Sequence, residues 1–224
     1  MKTSRRKADG LVYFVVEELD PAYHEAILDL AFEPVGEAFR KGFPADGLHM
    51  DRAYHNFSRW AEEMILQTAG ARPVPWEAAL LALLQAVDGQ GIDWWLTGSG
   101  ALAVRGMDLA PRDLDLVVAA ADSRRLGDLL CDYLVEPIIP VADWFCCWWG
   151  RAFLHARIEW VGGVNEEADE PAVSDYGPTA AARLETVLWK GYPVRVPPLD
   201  LQLMVNQKRG LADRVAMIRQ YLAS

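Results

Sequence analysis

The sequence predicts a mixed α/β fold, a sheet flanked by helices, from three observations. Residues 93–97, DWWLT, form a short apolar run bounded by turn formers, as a buried strand requires. GSGALAVRG then turns on glycines into a helix, and RDLDLVV at 112–118 returns as a second strand. Helical periodicity on both sides supplies a covering layer, and strands alternating with helices pack most economically as helices on a sheet.

Taken in chain order, residues 11–18 cluster aromatic and β-branched side chains and read as a short strand. Residues 21–41 have helix-compatible spacing, and GFPADG at 42–47 marks a loop. A helix over about 51–69 places Tyr54, Phe57, Trp60, Ala61, Met64 and Ile65 on one face. The expectation is a mainly helical N-terminal extension, residues 1–72, ahead of a main domain, residues 73–224. His24, His49 and His55 lie in aromatic-rich helical segments and read as packing residues rather than metal ligands.

Residues 75–88 start near a proline, run through strong helix formers and stop at GQG, the pattern of a core helix. Residues 122–136 read as an amphipathic helix bearing Leu126, Leu129, Leu130, Tyr133 and Leu134. WFCCWW, Gly150, Arg151 and then AFLHARIEWVG read as two strands joined by a tight turn. In the WFCCWW stretch, Trp144, Trp148 and Trp149 read first as core and second as a stacking surface. Residues 163–178, with Glu166, Glu167, Asp169, Glu170 and Asp175 among glycine and proline, read as a solvated loop. LETVLWKGYPVRV breaks like a hairpin at Gly191 and Pro193, and 199–222 read as one interrupted helix or two.

Composition narrows the function classes. The 224 residues allow one elaborated domain, or a main domain with an appendage. At 52% hydrophobic and 24% charged the chain is too apolar for general disorder, and no apolar run is long enough to span a membrane. A formal charge of −10 argues against diffuse binding to nucleic acid, although it does not exclude a nucleotide handled through metal ions. MKTSRRK passes into DGLVYFVVEELD without a secretory pattern, so a cytoplasmic location is expected. Cys131, Cys146 and Cys147 suit reduced apolar residues better than a disulfide framework or zinc site.

The most informative pattern is Gly98-Ser99-Gly100 followed by Arg112-Asp113-Leu114-Asp115. Residues two apart on a strand share a face, so Asp113 and Asp115 present paired carboxylates while Leu114 and Leu116 face the interior. Carboxylates that close repel, and a divalent cation relieves the repulsion; Mg²⁺ prefers oxygen ligands and leaves positions for water and phosphate. Glu159, on a later strand, adds a third carboxylate if the strands are neighbours, which would permit two Mg²⁺ ions. Upstream, Gly98 and Ser99 let backbone approach a ligand closely, and N–H groups at the following helix start can receive phosphate oxygens.

These residues resemble the nucleotidyltransferase superfamily that includes DNA polymerase beta, above all its small antibiotic-modifying and bacterial stand-alone members. The match runs from WWLTGSGALAVRG through RDLDLVV; it covers about 76–160 well and 185–221 loosely, with no counterpart for the first seventy residues. It implies a nucleotidyltransferase-like mixed sheet. It places triphosphate contact on Gly98 and Ser99, Ser99 replacing a commoner glycine, and metal binding on Asp113, Asp115 and Glu159. Lys208, followed by Asp213, matches a lysine that could neutralise phosphate or orient the acceptor, the alternative being an ordinary helix-end cation that favours the dipole; Arg105 and Arg112 could contact phosphate or clamp the acidic strand.

The implied reaction is Mg²⁺-dependent transfer of a nucleoside monophosphate from a nucleoside triphosphate to an acceptor hydroxyl, with Glu159 as metal ligand or general base. The expected acceptor is a small hydroxylated compound such as an aminoglycoside- or lincosamide-like antibiotic, which would make this a resistance enzyme. Competing readings are an RNA- or protein-directed transferase of a toxin-like system and a noncatalytic nucleotide-binding regulator. Residues 1–72 could serve as a lid, an acceptor wall or a homodimer surface.

Overall fold

A computed structural model describes residues 1–223. The chain opens with β1 (Lys2–Ala8) and β2 (Leu11–Glu17), then a short α1 (His24–Asp29), β3 (Glu33–Val35) and β4 (Ala38–Pro44). These strands form an antiparallel sheet ordered β1-β2-β4-β3. The helix expected over 21–41 is therefore confined to six residues, and the rest is a turn and a hairpin. Its physical cause is the alternation in β4, where Phe39 and Phe43 point inward with Lys41 between them, a period of two rather than 3.6. The first seventy residues are thus as much sheet as helix.

α2 (Met50–Thr68) lies across this sheet and buries Phe57, Ala61, Met64 and Ile65, as its periodicity predicts. The Phe14 ring meets Phe43, Tyr54 and Phe57 at centroid separations of 4.8–5.2 Å. α3 (Trp76–Val87) buries Ala79, Leu80, Leu83 and Leu84 and leads to β5 (Trp94–Thr97), α4 (Gly98–Ala103) and β6 (Leu114–Val118). α5 (Ser123–Leu129) is shorter than the helix expected over 122–136. Its continuation enters β7 (Leu134–Pro140), because Val135 and Ile138 are needed in the sheet core.

β8 (Trp148–Leu154) and β9 (Ala156–Gly162) complete a five-stranded sheet ordered β5-β6-β9-β8-β7. β6 and β9 are parallel neighbours, and the other pairs are antiparallel. The turn expected at Gly150 and Arg151 falls instead at His155, which adopts a left-handed φ of 64°. Gly150 lies within β8 for want of space: a Cβ there would come 2.1 Å from Cζ2 of Trp160, whose own exposure is 1%. α6 (Pro178–Ala181), a hairpin of β10 (Glu185–Trp189) and β11 (Tyr192–Val196), then α7 (Leu199–Lys208) and α8 (Ala212–Ala223) finish the chain.

One apolar core runs through both larger sheets, from Val12 to Val196. Asn56 Nδ2 of α2 donates to the carbonyls of Cys131 and Leu134 at 3.1 and 2.9 Å, tying the N-terminal unit to the start of β7. Leu48 also bridges Ile138. α2, α3 and α5 pack on the central sheet. Among the described residues no helix is long and apolar enough to cross a membrane.

Because Trp160 fills the space a side chain at 150 would need, Gly150→Ala is expected to lower unfolding free energy by about 1–3 kcal/mol through overpacking. Urea unfolding measures this directly, and an unchanged midpoint and slope would contradict the packing described.

Candidate active site

One row of side chains crosses the central sheet. The strand register sets Thr97 opposite Asp115, Asp115 beside Glu159, Glu159 opposite Arg151 and Arg151 opposite Glu136. The preceding row sets Arg157 across from Phe153 on β8. Because strand side chains alternate, Asp115, Glu159 and Arg151 leave the sheet on one face while Leu114, Leu116 and Trp160 enter the core on the other. The predicted carboxylate pairing of Asp113 with Asp115 is realised, and Glu159 joins them because β9 is the parallel neighbour of β6. One carboxylate oxygen from each of the three lies within 4.8 Å of the others.

An all-oxygen set at this spacing fits a hard divalent cation. Burial, then the charges of Asp113 and Glu159, push Asp115 up to about 7. A cation would relieve that unfavourable concentration of negative charge.

Arginines meet the same carboxylates. Arg157 Nη2 donates to Asp113 Oδ2, while its Nε lies 2.9 Å from Glu159 Oε1 without the alignment of a hydrogen bond. Arg151 Nε donates to that same Oε1 at 2.8 Å. Arg151 Nη1 in turn donates to Glu136 Oε1, an atom that also accepts from Lys41 Nζ at 2.8 Å. Glu136 and Arg151 are only 1% and 4% exposed. Burial alone would raise the Glu136 pKa, but Arg151 and Lys41 outweigh it and hold the carboxyl below its ordinary value. Burial alone would lower Arg157, and Glu159 with Asp113 reverses that.

Beside the carboxylates opens a cavity of about 530 Å³, bounded by Asp115, Glu159, the Thr97–Gly98 turn, residues 168–176 and the end of α7. Gly98 has a φ of +60°, and a Cβ there would lie 2.7 Å from Asp115 Oδ2. Glycine is therefore required twice, for the backbone angle and for room beside the carboxylate. Gln202 Nε2, buried on α7, donates to the Gly98 carbonyl at 3.1 Å and anchors the helix whose end brings Lys208 to the cavity. Ser99 is buried and does not line the cavity.

Arg105 and Arg112 lie elsewhere. Arg105 donates to Glu185 at 2.6 Å and to the Pro197 carbonyl at 3.0 Å, which fixes it under the β10–β11 hairpin. Arg112 is exposed in a separate depression with Glu25 and Asp29, and the clamp on Asp113 comes from Arg157. Asp213 is exposed and does not line the cavity.

The segment 163–178, read as a solvated loop, instead folds over the sheet as a cavity wall. Asp175 is 5% exposed, and burial pushes its pKa up. Thr97 Oγ1 donates to the Asp175 carbonyl at 3.0 Å and holds the wall to the end of β5. Asp169 pins the segment by accepting from the Ser174 and Thr179 amides at 2.8 and 2.9 Å. Trp149, Phe145 and Tyr176 supply aromatic surface, so Trp149 lines the cavity instead of packing in the core, while Trp144 is exposed against it at 6.0 Å.

Sequence reasoning missed Arg157, Arg151, the cavity-lining Arg209 beside Lys208, and the cavity role of Asp175. A signal was present for the first: Arg157 and Glu159 are two apart on a strand and share a face. Nothing local marked the others.

No protein-family model matches the chain, and no curated protein matches it. Its fold is similar to that of a candidate nucleotidyltransferase from Thermotoga maritima, with 15% identity and a TM-score of 0.51 over 66% of this chain and 92% of that one. Weaker likenesses join it to the lincosamide antibiotic adenylyltransferase LnuA with lincomycin bound (15% identity, TM-score 0.43, 59% of this chain and 86% of that one). Another is to ANT(2″)-Ia in complex with adenylyl-2″-tobramycin (15% identity, TM-score 0.41, 66% and 90%). The first of these gives the chain a nucleotidyltransferase-like fold.

In chelator-treated protein, Asp115 ionises at about 7 when folded and near the ordinary aspartate value when unfolded. Between those values the unfolded chain binds fewer protons, so stability falls as pH rises, and the cost is complete above about 7. Asp115→Asn removes the cost: it is expected to stabilise the metal-free protein by on the order of 2–4 kcal/mol at pH 8 and negligibly below about pH 4. Urea unfolding at the two pH values would contradict this if the gain were equal at both.

Proposed function

We propose that this protein transfers a nucleoside monophosphate from a nucleoside triphosphate to a hydroxyl of a small acceptor, releasing pyrophosphate. The observation that carries the reading is the convergence of Asp113, Asp115 and Glu159, the last two lining a roomy cavity beside the Gly98 turn. The fold is of the kind that houses such chemistry.

In this reading the acceptor oxygen attacks the α-phosphorus, the bond from that phosphorus to the bridging oxygen breaks, and pyrophosphate leaves with the electron pair. Asp113, Asp115 and Glu159 would hold Mg²⁺, which when bound supplies charge neutralisation for the phosphates and a more acidic acceptor hydroxyl. Glu159 Oε1 is taken by its arginine partners, leaving Oε2 as the oxygen that would join the cation, and the acceptor proton leaves to solvent water. Gly98 allows backbone close to the leaving phosphates, and Lys208 with Arg209 presents positive charge at the cavity edge. Arg105 and Arg112 take no part.

The wall formed by residues 168–176 with Trp149 and Phe145 supports this acceptor class. Asp175 in a setting of Trp149, Phe145 and Tyr176 combines a buried carboxylate with aromatic faces, the chemistry that receives an organic cation. A hydroxylated amine such as an aminoglycoside- or lincosamide-like antibiotic meets both requirements, and a cavity of about 530 Å³ accommodates a molecule of that size. We further propose that residues 1–72 act as scaffold for the site, since Lys41 steadies Glu136, Glu136 steadies Arg151 and Arg151 steadies Glu159.

Transfer from α-labelled nucleoside triphosphates to aminoglycosides, lincosamides, bulk tRNA and proteins tests the assignment. Label is expected on a small cationic acceptor, and Asp113→Asn or Asp115→Asn is expected to lower the rate at least ~10²–10³-fold with the fold intact. Near-normal transfer by either variant would overturn the chemistry, and label on RNA or protein alone would overturn the acceptor class.

A further inference from the structure

The proposed transfer chemistry leaves the number of cations open, and the charges around the carboxylates decide it. A bare cluster of Asp113, Asp115 and Glu159 would carry three negative charges and invite two divalent ions. This cluster is not bare. Arg157 takes Oδ2 of Asp113 and places its charge 2.9 Å from Oε1 of Glu159, the oxygen to which Arg151 donates, so one oxygen of each of these two ligands is already matched by a guanidinium. Asp115 alone of the three has no ion pair among the described residues.

Charge counting along the connected groups gives the same answer. Lys41, Arg151 and Arg157 face Glu136, Glu159, Asp113 and Asp115, three positive charges against four negative ones. The surplus is a single negative charge, and Asp115 carries it. Arg157 has little room to leave: its side chain is 14% exposed and it departs from a buried strand between Ala156 and Ile158. A guanidinium retains its charge at any working pH.

We propose that Arg157 stands in the place of a second metal ion, so that the site takes one divalent cation per bound nucleotide. This rests on the transfer reading for its nucleotide and on the Arg157 geometry for its count. Arg157 is a positioning residue: it orients Asp113 and Glu159 and supplies permanent positive charge where a second ion would otherwise sit. A second dication entering there would meet the guanidinium as well as the first ion.

Mn²⁺ binding, followed by electron paramagnetic resonance and calorimetry, tests the count without turnover. With the α,β-methylene analogues of the four ribonucleoside triphosphates as probes, the wild-type protein is expected to bind one Mn²⁺ per nucleotide, Arg157→Gln two, and Arg157→Lys one again. Without nucleotide, Arg157→Gln is expected to bind Mn²⁺ about tenfold or more tightly than wild type, the change that follows from about 1.4 kcal/mol. Two ions per nucleotide in the wild type, or an unchanged count and affinity in folded Arg157→Gln, would overturn the proposal. Circular dichroism establishes folding; if Arg157→Gln does not fold, the wild-type count decides alone. Failure of every analogue to bind would count against the transfer reading instead, and the nucleotide-free comparison would still test Arg157.

Discussion

The line of alternating charge, Lys41 to Glu136 to Arg151 to Glu159 to Arg157 to Asp113, buried at its middle, ties the strand register to the site. Moving an ion from water into a protein interior costs several kcal/mol, and only close opposite partners offset that cost. Each member therefore needs its neighbours in register. A one-residue slip of β8 or β9 would send Arg151 or Glu159 to the opposite face, against Trp160 and the helices, and leave the remaining charges unpaired. The site thus inherits its geometry from strand pairing, and strand pairing is in turn disciplined by the charges. Because Lys41 belongs to the N-terminal sheet, that sheet is part of the same constraint.

Space around the row is controlled by absent side chains. Gly150 admits Trp160 on the helical face, and Gly98 leaves room for Asp115 on the cavity face. Asp169 and Thr97 then hold the 163–178 segment as a fixed wall, so a stretch of high acidity becomes an organised surface by hydrogen bonding its own amides and reaching the end of β5. The overall charge of −10 consequently divides into solvent-facing acid, such as Glu167, and acid placed at a site. Locally, the arginines reduce the second group to a small surplus.

What could be read from sequence was whatever depended on short spacing. Asp113 and Asp115 share a face because strands repeat every two residues, α2 and α3 bury the stripes their periods dictate, and the Lys190–Gly191 turn joins β10 to β11 where a glycine stands ready. Features set by distant partners were not legible. Helix-compatible spacing in 21–41 lost to the pairing of β4 with β2, and Gly150 resembled a turn only until Trp160 was known to cover it. Arg105 and Arg112 were attractive as phosphate ligands by proximity in sequence, yet the first is captured by Glu185, 80 residues further along the chain, and the second stays on an outer surface. Asp175 looked like one more surface acid because nothing within its segment reveals that Thr97 anchors it.

If the buried charges are the central constraint, cutting the row in its middle must cost more than any surface ion pair could. The most direct measurement is urea unfolding of Arg151→Met, which strips the shared cation from Glu136 and Glu159 while keeping much of the side-chain volume. The expected loss is about 3–5 kcal/mol, the range for breaking a buried ion pair, because Glu136 is left with Lys41 alone and Glu159 with Arg157 alone. A loss below about 1 kcal/mol, typical of exposed pairs, would contradict the account.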